Sequence, residues 1–327
     1  MSNVFIYTTP HSAHKALADS LNCKGIQTHR TGIAKTPMIG RLLATSGVYK
    51  EIKKHNPKII LTESVSTDLL AGAYYKSKNP TVKLIGLVTD PKIKEMKGAP
   101  LIDNAITMWA LDKADLLFVG SQMMFDMMPP SFKYKTKIFY PGIEKIELYL
   151  KKKAKHGKNF VFIGRLDDHK GTDTLPRLFN CFKIKSPDSK LFIAGDGPNI
   201  DLFKNKIAKN IYYLGKTKNS LFMSDVASMY ISPARFEPSG MAIAEAMAQG
   251  LVPIVTEGVG YKEFVKRVDH RLVVTRDDDA VDIAMKLIKN KPLWTELSLK
   301  CKAQVKHLTY KNSVKGFKTI LKENNII

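Results

Sequence analysis

The sequence predicts an α/β protein made of two doubly wound halves, and three observations carry that prediction. Short apolar runs alternate with helix-patterned segments along the whole chain. The alternation is interrupted once, by a polar, lysine-rich stretch at 141–158 with no strong apolar period. The 327 residues are enough for two domains of ordinary size.

In the first half, strands are predicted at 3–7, 26–29, 59–62, 82–88, 116–119 and 137–140, with helices at 14–21, 66–78 and 102–111. The second half repeats the layout, with strands at 160–163, 190–194, 211–214, 226–231, 252–256 and 271–275. Helices intervene near 172–182, 200–208, 219–223, 241–249 and 279–289, and a helical tail covers 293–308 and 313–323. In open sheets of this kind ligands collect at the carboxyl ends of the strands. In the first half those positions hold 8–12, Glu63 and Ser64, Thr89 and Asp90, Gly120 and Ser121, and Pro141 and Gly142.

Composition narrows the function classes. An apolar content of 44% excludes wholesale disorder, and no apolar run approaches the roughly 20 residues of a bilayer span. The first residues read as a strand without a basic flank or cleavage site, so no signal peptide is expected. Three widely spaced cysteines, Cys23, Cys181 and Cys301, fit neither a disulfide framework nor a metal ligand set, which points to a reducing, cytoplasmic compartment. The net charge of +22 comes from lysines spread along the chain, densest at 50–58 and 151–158. Nucleic-acid binders concentrate charge in a patch with aromatics interleaved, so nucleic acid is not expected as a partner. A solvated lysine surface is the plain reading, and contact with anionic lipid head groups comes next.

The stretch at 233–250 reads Pro-Ala-Arg-Phe-Glu-Pro-Ser-Gly-Met-Ala-Ile-Ala-Glu-Ala-Met-Ala-Gln-Gly. Pro238 and Ser239 sit where a helix start wants them and Gly250 where the helix should stop. Between them the residues are small or apolar on every face, apart from Glu245, so the helix should be buried. A buried carboxylate needs a partner, whether an ion pair or a ligand hydroxyl. Glu237, eight residues earlier, supplies a second carboxylate, with the free N–H groups of Gly240, Met241 and Ala242 between them. Two carboxylates accept from sugar hydroxyls, and a helix N-terminus donates to phosphate. Arg165 and Lys170 follow the strand at 160–163 directly and suit a diphosphate. The acidic run Asp277, Asp278 and Asp279 reads as a helix start rather than a metal site.

These parts resemble the retaining glycosyltransferases of the GT-B fold, in particular glycosyltransferase family 4. The resemblance rests on Gly164-Arg165 with Lys170-Gly171, on Gly195-Asp196-Gly197-Pro198, and on Glu237-x7-Glu245-Ala-Met-Ala-x-Gly250, and covers about 160–262. It implies two Rossmann-like domains facing a cleft: an acceptor-side domain at 1–145, a linker at 146–158 and a nucleotide-sugar domain at 159–308. A C-terminal helix at 309–327 would return to the first domain. The implied reaction moves a sugar from a UDP- or GDP-linked donor to a lipid, glycan or protein-glycan acceptor, with no cofactor and no metal. In the implied site Arg165 and Lys170 clamp the diphosphate, Glu237 holds a hydroxyl of the donor sugar and Glu245 the ribose. Gly164, Gly195, Gly197, Gly215 and Lys216 border the nucleotide, and Ser239, Gly240, Met241 and Ala242 lend backbone N–H groups.

The first half departs from the family pattern. It has Thr9, His11 and Ser12 where a glycine-rich turn is usual, and Asp90 where many members place a histidine near the reacting sugar. Thr9, His11, Ser12 and Asp90 are the residues expected to face the cleft from the acceptor side. The implied setting is the cytoplasm, including the cytoplasmic membrane face. Two alternatives stand beside the transferase: a sugar-nucleotide epimerase, and a basic binding protein without catalysis on the same scaffold. The first needs acid and histidine groups to move protons, and the second would show a steep salt slope with DNA.

Overall fold

The computed structural model of the chain describes residues 3–7, 12–28, 37–89, 101–204, 209–217 and 219–327. Two compact units emerge, one formed by 1–144 with 310–327 and the other by 145–309. Each is built on a six-stranded parallel sheet.

The first sheet runs β2-β1-β3-β4-β5-β6, where β1 is Asn3–Tyr7, β2 Cys23–Gln27, β3 Ile59–Thr62, β4 Lys83–Val88, β5 Leu116–Val119 and β6 Thr136–Ile138. The β3 and β5 runs are buried at every position, as expected of strands covered on both faces. The helix Tyr310–Glu323 belongs to this unit. Its Phe317 and Leu321 are buried in one core with Phe5, Leu61, Ile85, Phe118 and Phe139. Phe317 sits 5.0 Å from Phe118 and 5.8 Å from Phe139, ring centre to ring centre.

The second sheet runs β12-β11-β10-β7-β8-β9. Its strands are β7 Phe160–Ile163, β8 Leu191–Ala194, β9 Ile211–Tyr213, β10 Met229–Ser232, β11 Val252–Thr256 and β12 Val273–Val274. The chain steps from β7 outward through β8 to β9, returns to the other side of β7 at β10, and steps outward again. The helix Met241–Ala248 follows β10, and its Ile243, Ala244, Ala246, Met247 and Ala248 are buried. The three aspartates at 277–279 occupy the first turn of the helix Asp277–Lys289, where their charge suits the exposed N–H groups.

Several elements differ from the sequence reading. The stretch at 146–158, expected as a linker, lies inside the second unit and carries a helix, Ile146–Lys151. Its lysines hide a two-residue apolar contact, since only Ile146 and Tyr149 are buried. The helix Pro37–His55 was not expected, because Gly40, Thr45, Ser46 and Gly47 interrupt its pattern; Val48 and Ile52 bury its inner face. Helices Gln122–Met127 and Lys262–Val268 were also missed, both being too short for periodicity to register. β2 begins at Cys23 because Lys24 and Gly25 lie on an exposed edge strand, and β10 begins three residues later than expected because Met223–Val226 is helical.

Candidate active site

In the second sheet β7 and β10 are neighbours, yet the chain leaves them in opposite directions along the sheet. The crevice outside their carboxyl ends is the topological switch point, where open α/β sheets hold ligands. The loop after β7 carries Gly164, Arg165, Asp167 and Lys170. The loop after β10 carries Glu237, Ser239 and Gly240.

Backbone contacts fix the two loops to each other. The Phe236 N–H donates to the His169 carbonyl at 2.9 Å. Gly171 has φ +66° and packs against Pro233, and a Cβ there would stand 2.8 Å from the Pro233 carbonyl carbon and closer to its oxygen. Only glycine tolerates both the left-handed backbone and that approach. Lys170 and Glu237 are thereby brought into an ion pair, their side chains 22% and 19% exposed. Burial pushes the Lys170 ammonium down to about 8, against the opposing pull of Asp167. Asp167 ties the loop together: its Oδ1 accepts from the Lys170 N–H at 3.0 Å and its Oδ2 pairs with Arg165 Nε at 2.8 Å. Arg165 is 66% exposed, so its guanidinium has room to swing toward an anion.

The neighbouring loops close the same edge. Gly195 follows β8 with φ +151°, and its N–H donates to the Gly215 carbonyl at 2.9 Å, joining the loops after β8 and β9. A Cβ on Gly195 would run into the Gly164 carbonyl, so the loops after β7 and β8 touch backbone to backbone. Gly197 packs in the same way on Leu166, and Lys216 stands exposed after Gly215.

The helix Met241–Ala248 is not buried on every side. Met241, Ala242 and Glu245 are half-exposed and form one strip, continuous with Pro238 and Ser239. Gly240 caps the helix without a side chain, leaving the first N–H groups available along that strip. Glu245 Oε2 accepts from Ser220 Oγ at 2.5 Å. Burial raises the Glu245 carboxyl, and the Ser220 hydrogen bond works against that rise. No lysine or arginine pairs with Glu245 among the described residues; the partner of its carboxylate is the Ser220 hydroxyl.

Thr9, His11 and Asp90, the expected acceptor-side residues, lie outside the described residues. Ser12 opens the helix Ser12–Ser20 after β1. At the carboxyl edge of the first sheet the structure instead brings His14 Nδ1 to within 2.8 Å of Glu63 Oε1, both residues buried. The Thr89 hydroxyl donates to the Glu63 carbonyl at 2.6 Å. His14 was missed because one histidine on a helix gives no signal until its partner, 49 residues away, is known. Asp167 was more legible, standing two residues after Arg165 and three before Lys170. Among the described residues no group of three or more His, Cys, Asp or Glu could hold a metal ion.

The second unit can be compared with known proteins. A family model, glycosyl transferases group 1, matches residues 147–307. The match takes in nearly all of the second unit and is a likeness of that part of the chain. The chain has distant curated relatives. Mannosylfructose-phosphate synthase of Agrobacterium fabrum is 27% identical over 190 residues, covering 53% of this chain and 41% of that protein. The uncharacterized glycosyltransferase YqgM of Bacillus subtilis is 23% identical over 191 residues, covering 55% of this chain and 53% of that protein. The matches thus span about half, or less, of these relatives' own length. Among solved structures, Anabaena Alr3699/HepE in complex with UDP and glucose superposes with a TM-score of 0.72 at 15% identity, covering 98% of this chain and 99% of that one. The fold is the two-domain, Rossmann-like GT-B architecture.

Proposed function

We propose that the chain is a metal-independent, retaining glycosyltransferase of family 4 type that takes a UDP- or GDP-linked sugar and passes it to a glycan or lipid acceptor. The observation that carries this reading is the Lys170–Glu237 pair at the switch point, with Glu245 on the helix that the same loop opens. The Lys170 ammonium neutralises the charge that grows on the diphosphate as it departs, and Arg165 on the same loop reaches the same anion. Glu237 accepts from a hydroxyl of the transferred sugar while keeping Lys170 oriented. The N–H groups of Gly240, Met241 and Ala242 donate to the sugar and phosphate oxygens, and Glu245 accepts from the ribose. Gly164, Gly195, Gly197, Gly215 and Lys216 line the nucleotide. The leaving phosphate takes the acceptor proton on the face from which it departs, so the configuration at the sugar carbon is kept.

The related HepE structure holds UDP and glucose, which favours UDP as the first donor to try. On the acceptor side the reading keeps Thr9, His11, Ser12 and Asp90. It places the protein in the cytoplasm, with salt-sensitive contact to anionic membrane through its net charge of +22. Among the described residues no helix is long and apolar enough to cross a membrane.

The test is release of nucleoside diphosphate from a panel of UDP- and GDP-sugars, preceded by a thermal-shift screen of the same panel. One donor family is expected to stabilise the protein and to be turned over in the presence of EDTA. No stabilisation by any nucleotide sugar would overturn the reading, and loss of turnover in EDTA restored by Mg²⁺ or Mn²⁺ would overturn its metal-independent part.

A further inference from the structure

Ser220 precedes the short helix Met223–Val226 that follows β9, and it is buried. Side chains hold it at three points. Its hydroxyl lies 2.5 Å from Glu245 Oε2 and 3.2 Å from the Tyr149 hydroxyl. Its carbonyl accepts from Gln249 Nε2 at 2.9 Å. Glu245 and Gln249 stand four residues apart on one helix face, so a single face of Met241–Ala248 and its C-terminal cap grips both ends of Ser220. Gln249 is fully buried, and its Oε1 accepts from the Ser224 N–H at 3.2 Å, which fixes the amide. Serine has one hydroxyl proton, and at 2.5 Å it goes to the carboxylate. The Tyr149 hydroxyl lies beside the Ser220 hydroxyl at 3.2 Å. The Ser220 hydroxyl therefore holds Oε2 of Glu245 in place and leaves Oε1 with no hydrogen bond among the described residues.

We infer that Ser220 is a positioning residue for nucleotide binding: through its hydroxyl it orients the Glu245 carboxylate toward the ribose hydroxyls of a nucleoside diphosphate. The inference rests on the reading of the site as a nucleotide-sugar site and assigns a determinant that lies outside its loops. A carboxylate free to rotate accepts from two vicinal hydroxyls less well than one held from the side, because the ordering then has to be done on binding. Ser220 contributes nothing to the phosphates or the sugar in this account, so its effect is confined to the ribose.

Calorimetry with UDP, GDP and their 2′,3′-dideoxy counterparts separates this role from a structural one. Ser220→Ala should weaken the ribonucleoside diphosphate about tenfold, in the range for a hydrogen bond to a charged group. The dideoxy compound, which offers Glu245 no hydroxyls, should bind both proteins equally. Ser220→Thr keeps the hydroxyl and should restore affinity, and it also serves if the alanine variant fails to fold. In turnover the loss should fall on donor KM, with kcat nearly unchanged, and Ser220→Ala should add nothing in a Glu245→Gln background. Equal weakening of ribose and dideoxyribose ligands, or no weakening, overturns the inference while leaving the site reading intact. A wild-type protein that binds neither diphosphate overturns the site reading and this inference with it.

Discussion

Replacing Gly171 with alanine should separate the two loops that form the site. Gly171 adopts φ +66°, where a side chain costs on the order of 1–2 kcal/mol. The new Cβ would stand 2.8 Å from the Pro233 carbonyl carbon and against its oxygen, so the backbone itself has to give. Restoring an ordinary contact distance requires the loops after β7 and β10 to part by on the order of 1 Å, with a packing penalty of roughly 1–3 kcal/mol. Together these give about 2–5 kcal/mol, or a melting temperature lower by about 4–20 °C for a unit of this size. Lys170 is the adjacent residue, so the same displacement draws it from Glu237. A misplacement of that size is expected to lower turnover by about 100-fold. Gly316→Ala is the control. It lies in the helix Tyr310–Glu323 with no atom within 4 Å of the added methyl, and should be neutral or slightly stabilising. Scanning calorimetry and initial rates on both variants make the test. Wild-type melting and turnover in Gly171→Ala would refute the claim that this close approach sets the Lys170–Glu237 geometry.

Other predictions concern charge and the terminal helix. Burial lowers Lys170 to about 8 from 10.5, so between those values the unfolded chain holds the proton that the folded chain has lost, and stability at this residue rises with pH. Diphosphate binding should move the opposite way, weakening above pH 8 with proton uptake that calorimetry in buffers of different ionisation enthalpy would detect; an affinity flat from pH 7 to 9.5 would contradict it. Lys170→Ala should cut turnover by on the order of 100-fold with melting little changed, and wild-type rates would sink its assignment. Phe317→Ala removes a buried ring from the first unit's core and should destabilise it by about 3–5 kcal/mol in a denaturant titration; a loss below about 1 kcal/mol would mean the helix is not anchored there.

Much of this was legible in the sequence because parallel strands buried on both faces read as unbroken apolar runs. Ile59–Thr62 and Leu116–Val119 stand where their residues placed them. The loops of the second unit were legible for a different reason: glycines and charges at strand ends mark positions where the backbone must approach closely or meet a ligand. What the sequence could not show were contacts between residues distant in the chain. Ser220 fell inside the helix expected at 219–223 and drew no notice until Glu245 and Gln249 were seen to hold it, and Tyr149 looked like part of a linker. The helix Pro37–His55 escaped because its inner face is defined by what it packs on, not by a regular apolar period.

The central claim is that one edge of the second sheet holds a nucleoside diphosphate with its sugar, and that the two glutamates divide the work. Titration calorimetry with UDP and GDP on the wild-type protein, Glu245→Gln and Glu237→Gln tests it most directly. Glu245→Gln should weaken the preferred diphosphate by about 1–3 kcal/mol, because Glu245 is assigned to the ribose. Glu237→Gln should leave diphosphate affinity nearly unchanged, because Glu237 is assigned to the sugar that the diphosphate lacks. Equal weakening by both substitutions, or no binding of either diphosphate to the wild-type protein, would contradict the account.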